Sequence, residues 1–131
     1  MKQVITVDFD FTLASSDSEG NLLPVESVIN FVKGKHLDGY ELHIVTFRNF
    51  KDKKEVKDFC EDYDIPIKSI VCTDSHNKVP FLKDLKSVLH IDDNSEVCLL
   101  ASLAGIEVLL VDWGQNIHNK NTKLFNKIRA I

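Results

Sequence analysis

Val4-Ile-Thr-Val-Asp-Phe-Asp-Phe-Thr-Leu-Ala14 is an apolar run that ends in two aspartates one residue apart, and its reading decides that of the whole chain. Val4, Ile5, Val7 and Phe9 have the β-branched and aromatic character of a buried strand, so Asp8 and Asp10 fall where that strand leaves the core. Alternate side chains of an extended segment share a face, which lets both carboxylates address one point. Two negative charges at the rim of an apolar interior repel each other and lose hydration, so they require a cation or firm hydrogen bonds nearby.

The 131 residues suit one domain spanning 1–131, large enough to bury a core without disulfides or metals as staples. A hydrophobic content of 44% with 27% charged residues is that of an ordinary globular chain, which argues against disorder. The net charge of -4 gives no broad attraction to nucleic acid or anionic membranes. Cys60, Cys72 and Cys98 are far apart, without C-x-x-C spacing, and each sits in an apolar pattern, as buried thiols in a reducing compartment do. The N-terminus lacks a signal-type apolar core, and no run approaches the roughly 18 apolar residues of a membrane span, so the expected location is the cytoplasm.

Along the chain, Ser15 to Leu23 reads as a mobile polar loop, and Pro24 opens a helix whose stripe is Val25, Val28, Ile29 and Val32. A second strand, Glu41 to Phe47, ends at Thr46, Phe47 and Arg48. Asp52 and Glu55 form a capping box for a helix with Val56, Phe59, Cys60 and Tyr63 on one face. A third strand, Ile67 to Cys72, runs out into Thr73, Asp74, Ser75, His76 and Asn77, and Lys78 leads into a short helix. The fourth strand, Val88 to Ile91, ends in Asp92 and Asp93. Asn94 or Ser95 then caps a helix with Val97, Leu100, Ala101 and Ala104 inside, and Ile106 to Val111 is the fifth strand. Asn121 to Ile131 reads as a closing helix with Leu124, Phe125 and Ile128 on one face.

This alternation predicts a three-layer α/β fold, Rossmann-like, with a parallel five-stranded sheet. Right-handed crossovers gather the loops after the strands at one edge, where such sheets bind ligands. That edge collects Asp8, Asp10 and Thr12 from the first strand, Thr46 from the second, Lys78 after the third, and Asp92 and Asp93 from the fourth. Carboxylates, a hydroxyl and an ammonium together suit a magnesium ion and a phosphoryl group. Magnesium takes oxygen ligands, lysine gives phosphate oxygens a point charge, and threonine gives a neutral hydrogen bond.

In order and spacing these residues resemble the four motifs of the haloacid dehalogenase superfamily of phosphohydrolases, over essentially the entire chain. D-x-D-x-T is Asp8 to Thr12, the Thr ending strand two is Thr46, the Lys before strand four is Lys78, and the acidic pair is Asp92 and Asp93. The resemblance implies strand order 5-4-1-2-3 and a magnesium-dependent phosphomonoesterase. In it Asp8 is the nucleophile and forms an aspartyl-phosphate, and Asp10 is the general acid and base. Thr46 and Lys78 hold the phosphoryl oxygens. The metal set implied is Asp8, Asp10 through its backbone carbonyl, Asp92 and Asp93, with Asp93 completing the site and Asp92 acting through water or from behind the direct ligands. Phe11 stands where the family often has Gly, and Lys78 is placed by its spacing from strand four.

Neither Leu13 to Leu23 nor Thr73 to Lys78 is long enough for the cap domain that many members insert. The chain therefore resembles the capless members, whose open sites suit bulky or macromolecular phosphoesters or are completed by a partner chain. Thr12, Phe47, Arg48, His76 and Asn77 are the candidate substrate contacts, and a nucleotide or nucleic-acid end phosphate is slightly favoured over a sugar phosphate or a phosphoprotein. Lys51, Lys53, Lys54 and Lys57 read as a solvated helix face, His90 as a packed residue of strand four, and Trp113 as a cover for the sheet edge. The competing reading is a non-catalytic phosphate-binding or receiver-like module. A receiver carries its phosphorylated Asp after strand three and a Lys after strand five, whereas here strand three runs into Thr73 and Val111, Asp112 and Trp113 offer no Lys.

Overall fold

Every residue of Val4–Val7 (β1) is β-branched, a composition that favours a pleated strand, and Ile5, Thr6 and Val7 are buried on both faces of the sheet they enter. The computed structural model describes residues 2–75, 77–113 and, in their backbone, 123–128. In chain order β1 is followed by β2 (Ala14–Ser16), β3 (Leu22–Pro24), α1 (Glu26–Leu37) and β4 (Glu41–Thr46). Next come a 3₁₀ turn (Phe50–Asp52), α2 (Lys53–Asp62), β5 (Ile67–Cys72), α3 (Val79–Asp84) and β6 (Ser87–Asp92). Then come α4 (Ser95–Leu103), β7 (Glu107–Asp112) and β8 (Lys123–Ile128).

The main sheet has the order β5-β4-β1-β6-β7-β8. The strands from β5 to β7 pair in parallel, and their order is the expected 5-4-1-2-3 seen from the other edge. It differs from the order 2-1-3-4-5 of receiver and flavodoxin-like sheets, which weighs against the receiver alternative. From β1 the chain builds outward through β4 to β5, then crosses back to β6 and β7 on the other side. The reversal lies between β1 and β6, so the loops after these two strands flank the crevice where α/β sheets take ligands.

The helices divide between the two faces. Val28, Ile29 and Val32 of α1 and Val56 and Phe59 of α2 join the core of Ile5, Val7, Phe9, Ile44 and Ile91. Leu82 of α3 and Cys98 and Ala101 of α4 pack with Val45 and Val108 on the opposite face. At roughly 1.5–3 kcal/mol for each fully buried aliphatic or aromatic side chain, these two cores supply the main drive for folding.

Several expectations are corrected. The polar stretch after Leu13 is no loose loop but a hairpin, with Ala14, Ser15 and Ser16 paired antiparallel to Pro24, Leu23 and Leu22. Asp17 tightens its turn by accepting from the backbone of Glu19 and Asn21, both at 2.9 Å. Pro24 therefore ends a strand, and α1 starts at Glu26 after Val25. The capping box does not form. Asn49 caps the 3₁₀ turn through the N–H of Lys51, Asp52 makes no side-chain cap, and Glu55 is drawn to Arg48 instead. Leu100 is exposed, and Cys98 takes the buried position on α4. Within the predicted closing helix, Lys123–Ile128 is a strand antiparallel to β7, while 121–122 and 129–131 lie outside the described residues. Leu124 and Ile128 fit a strand period as well as a helical one, and pairing with β7 satisfies a row of backbone groups that a helix would leave open.

Candidate active site

β1 ends where the backbone N–H of Asp8 donates to Ile91 of β6 at 2.9 Å, which seats Asp8 at the switch point. The chain then folds into one tight turn. The Phe9 carbonyl accepts from the N–H groups of Thr12, Leu13 and Ala14 at 3.2, 2.9 and 3.1 Å. Phe11 sits at φ 57°, the left-handed region that disfavours a side chain and that glycine adopts freely. Trp113 holds this conformation in place. Its Nε1–H donates to the Phe11 carbonyl at 2.7 Å, and the two rings meet edge to face with centroids 6.1 Å apart.

The turn delivers Asp8 to Lys78. The Lys78 ammonium donates to Asp8 Oδ1 at 2.9 Å and to Asp92 Oδ2 at 2.8 Å, with all three side chains buried. Asp92 is further held by Nε2 of His90 at 2.8 Å and by the N–H of Asn94 at 3.0 Å. Behind it the polar chain continues through the sheet: His90 Nδ1 lies 2.8 Å from Thr6 Oγ1, which lies 2.7 Å from Ser87 Oγ. His90 is fully buried, and its role as a partner of the acidic pair is one that a sequence pattern does not reveal.

The electrostatics follow from this placement. Burial, and then the neighbouring Asp92 charge, raises Asp8 above its ordinary carboxylate value despite the opposing Lys78. Burial followed by the charges of Asp8 and Asp92 pushes Asp93 up to about 8. Burial alone would raise Asp92 too, but the hydrogen bond and charge of His90, with Lys78, outweigh it and hold Asp92 well below the usual range. For Lys78 desolvation is outweighed by the two aspartates, so its ammonium is favoured.

Asp8, Asp92 and Asp93 can each turn one oxygen to a common point, those atoms lying within 4.8 Å of one another. Three carboxylates of which two resist ionising on burial form a donor set that fits a hard divalent cation. Asp92 already spends both oxygens on Lys78, His90 and Asn94, whereas Asp93 accepts a long 3.5 Å contact from Thr12 and lies against Asp8. Asp10 does not join this cluster through its side chain. Its carboxylate turns the other way and is gripped by Arg48, Nε to Oδ2 at 2.8 Å and Nη2 to Oδ1 at 2.9 Å. Arg48 is itself placed by Glu55 at 2.5 Å and by stacking over the Phe9 ring at 5.2 Å.

A cavity of about 460 Å³ opens over these groups, lined among others by Asp8, Asp10, Thr46, Lys78 and Asp93. Thr46 Oγ1 is buried and has no hydrogen-bond partner among the described residues. The other expected contacts divide. Phe47 lines the cavity, as do Phe11, Asn94 and Ser95, which spacing alone does not single out. Thr12 is wholly buried, 3.4 Å from Asp8 Oδ2, where it supports the carboxylates and does not face the cavity. Arg48 reaches it through Asp10. Asn77 faces solvent and accepts from the N–H of Val79 at the start of α3, and His76 lies outside the described residues. Among the described residues no helix is long and apolar enough to cross a membrane.

The fold is that of the haloacid dehalogenase-like hydrolases. A chain of the Pnkp1/Rnl/Hen1 RNA repair complex superposes with a TM-score of 0.73 over 88% of this chain at 15% identity. A second structure of the Pnkp1/Rnl/Hen1 complex gives 0.71 over 88% at 16%. The present chain spans about half the length of those two, 44% and 48%. The haloacid dehalogenase-like hydrolase SP0104 from Streptococcus pneumoniae gives 0.55 at 16% identity, with 86% of each chain covered. No protein-family model and no curated protein matches the chain.

Proposed function

We propose that the chain is one catalytic domain, a magnesium-dependent phosphomonoester hydrolase working through an aspartyl-phosphate on Asp8. The observation that carries this is the buried, unpartnered Thr46 hydroxyl in the wall of the cavity that also holds Asp8 and Lys78. Among the described residues it is a donor without an acceptor, set where a phosphoryl oxygen would supply one.

In the first step an Asp8 oxygen forms a bond to phosphorus while the ester P–O bond breaks, and Asp10, once one oxygen has left the Arg48 fork and taken up a proton from solvent, gives that proton to the leaving oxygen. In the second, Asp10 takes a proton from water as the water oxygen bonds to phosphorus, freeing inorganic phosphate and the Asp8 carboxylate. Thr46 and Lys78 hold the phosphoryl oxygens through both steps. Asp8 and Asp93 would hold the magnesium ion, with Asp92 fixed behind them and the Asp10 backbone carbonyl as a further ligand. Such an ion supplies neutralisation of charge on the phosphoryl oxygens.

The open cavity supports a bulky substrate, a nucleotide or nucleic-acid end phosphate being favoured by likeness to a chain of an RNA repair complex. The free cysteines, two of them buried, support a reducing cytoplasm, and the uncapped mouth leaves room for a partner chain. The experiment is phosphate release from nucleotides, oligonucleotide ends and sugar phosphates with magnesium or EDTA, for wild type and Asp8→Asn. Release that needs magnesium and is absent from Asp8→Asn is expected. Release that survives Asp8→Asn would remove the aspartyl-phosphate.

A further inference from the structure

Beside the catalytic cavity lies a second groove of about 780 Å³, within the range of small-molecule sites. The two share Phe47, and Arg48 lines the groove on one side while holding Asp10 on the other. Asp10 is the group that would protonate the leaving oxygen, so the groove lies on the side toward which the leaving group departs. Phe47, just after β4, and Phe50, at the start of the 3₁₀ turn, both line the groove and are 45% and 74% exposed. Asn49, Asp52 and Asp74 add acceptors suited to amino and hydroxyl donors, and the two carboxylates repel a further phosphate.

We propose that this groove seats the planar base of a nucleotide, with the base stacked on Phe50 and Phe47 and its ribose beside Arg48. Aromatic side chains stack any base, whatever its sequence. The proposal rests on the phosphatase assignment for which oxygen leaves, but the groove can be tested without turnover.

The test compares adenosine 5′-monophosphate with ribose 5-phosphate, and a trinucleotide 3′-phosphate with its counterpart lacking the terminal base. Wild type, Phe50→Ala and Phe50→Trp are assayed. The kcat/KM advantage of the base-bearing substrate is expected to fall about 5- to 100-fold in Phe50→Ala, mainly through KM, and to return in Phe50→Trp. The pair showing the effect tells a free nucleotide from a nucleic-acid end. An unchanged advantage in both pairs overturns the proposal, as does an equal Phe50 dependence for a phosphotyrosine peptide. Binding of adenosine 5′-monophosphate and ribose 5-phosphate to Asp8→Asn is measured by calorimetry. Tighter nucleotide binding that Phe50→Ala weakens upholds the groove even if no turnover is found, and equal binding overturns it.

Discussion

Arg48 grips both carboxylate oxygens of Asp10, at 2.8 and 2.9 Å, so the fork orients this group while both of its oxygens accept, and Asp10 must turn one oxygen out of the fork before it can carry a proton to a leaving group. Lysine cannot reproduce that fork. Arg48→Lys is expected to lower kcat about 10- to 100-fold with little change in KM, and Asp10→Asn about 10²- to 10⁴-fold. Both losses should shrink for esters with good leaving groups, which need no proton. Equal losses for good and poor leaving groups would show that the pair does not serve proton transfer.

The raised Asp93 makes the metal-free protein sensitive to pH. A carboxyl whose folded value is raised contributes stability below its ordinary pKa, and this is lost as pH rises toward the folded value, here about 8. Asp8 is raised too and acts in the same direction. The depressed Asp92 works oppositely, and its contribution is lost only as pH falls below the ordinary carboxylate range. The melting temperature in EDTA should therefore decline from pH 5 to 8.5, and Asp93→Asn should flatten the decline. Magnesium should restore stability most at the alkaline end. A rising or flat profile in EDTA would contradict the charge repulsion described at the site.

His90→Leu keeps the bulk of the side chain but strips Asp92 of a donor and leaves Thr6 without its imidazole partner. A loss of about 1–3 kcal/mol in unfolding free energy is expected by urea titration. His90→Gln, which retains a donor, should recover part of it. No loss in His90→Leu would mean that Lys78 and Asn94 suffice for Asp92.

At Phe11 two effects oppose. Glycine there would relieve the left-handed backbone, by about 1 kcal/mol, and forfeit an edge-to-face contact of similar size, so Phe11→Gly should change stability little. Trp113→Phe keeps an aromatic ring and loses the 2.7 Å bond to the Phe11 carbonyl, which should lower stability by about 1 kcal/mol. Thermal unfolding of the two variants side by side decides whether the ring or the hydrogen bond governs the turn.

The five parallel strands and the acidic strand exits were legible because each strand is a short β-branched run closed by a polar residue, and Val28, Ile29 and Val32 keep a helical period. Asn94 was legible as a cap for the same local reason, and it accepts from Glu96 and Val97. What depends on distant partners was not legible. Ser15 and Ser16 become a strand only because Leu22 and Leu23 lie opposite, and Leu124 and Ile128 satisfy both periods until the open edge of β7 selects one. Glu55 has the spacing of a capping residue, yet Arg48 offers it a full charge. Asp10 and Arg48 are 38 residues apart, and no local pattern joins them.

The chain Ser87–Thr6–His90–Asp92–Lys78–Asp8 runs through β1 and β6 to Asp8, the residue after β1, and Lys78, the residue before α3, and Thr6 and His90 are wholly buried at the centre of the sheet. The reactive carboxylate thus has no hinge of its own: it cannot loosen unless the two central strands part. Loss of catalysis in denaturant should then coincide with global unfolding, without the earlier inactivation shown by enzymes whose reactive groups sit on detachable loops.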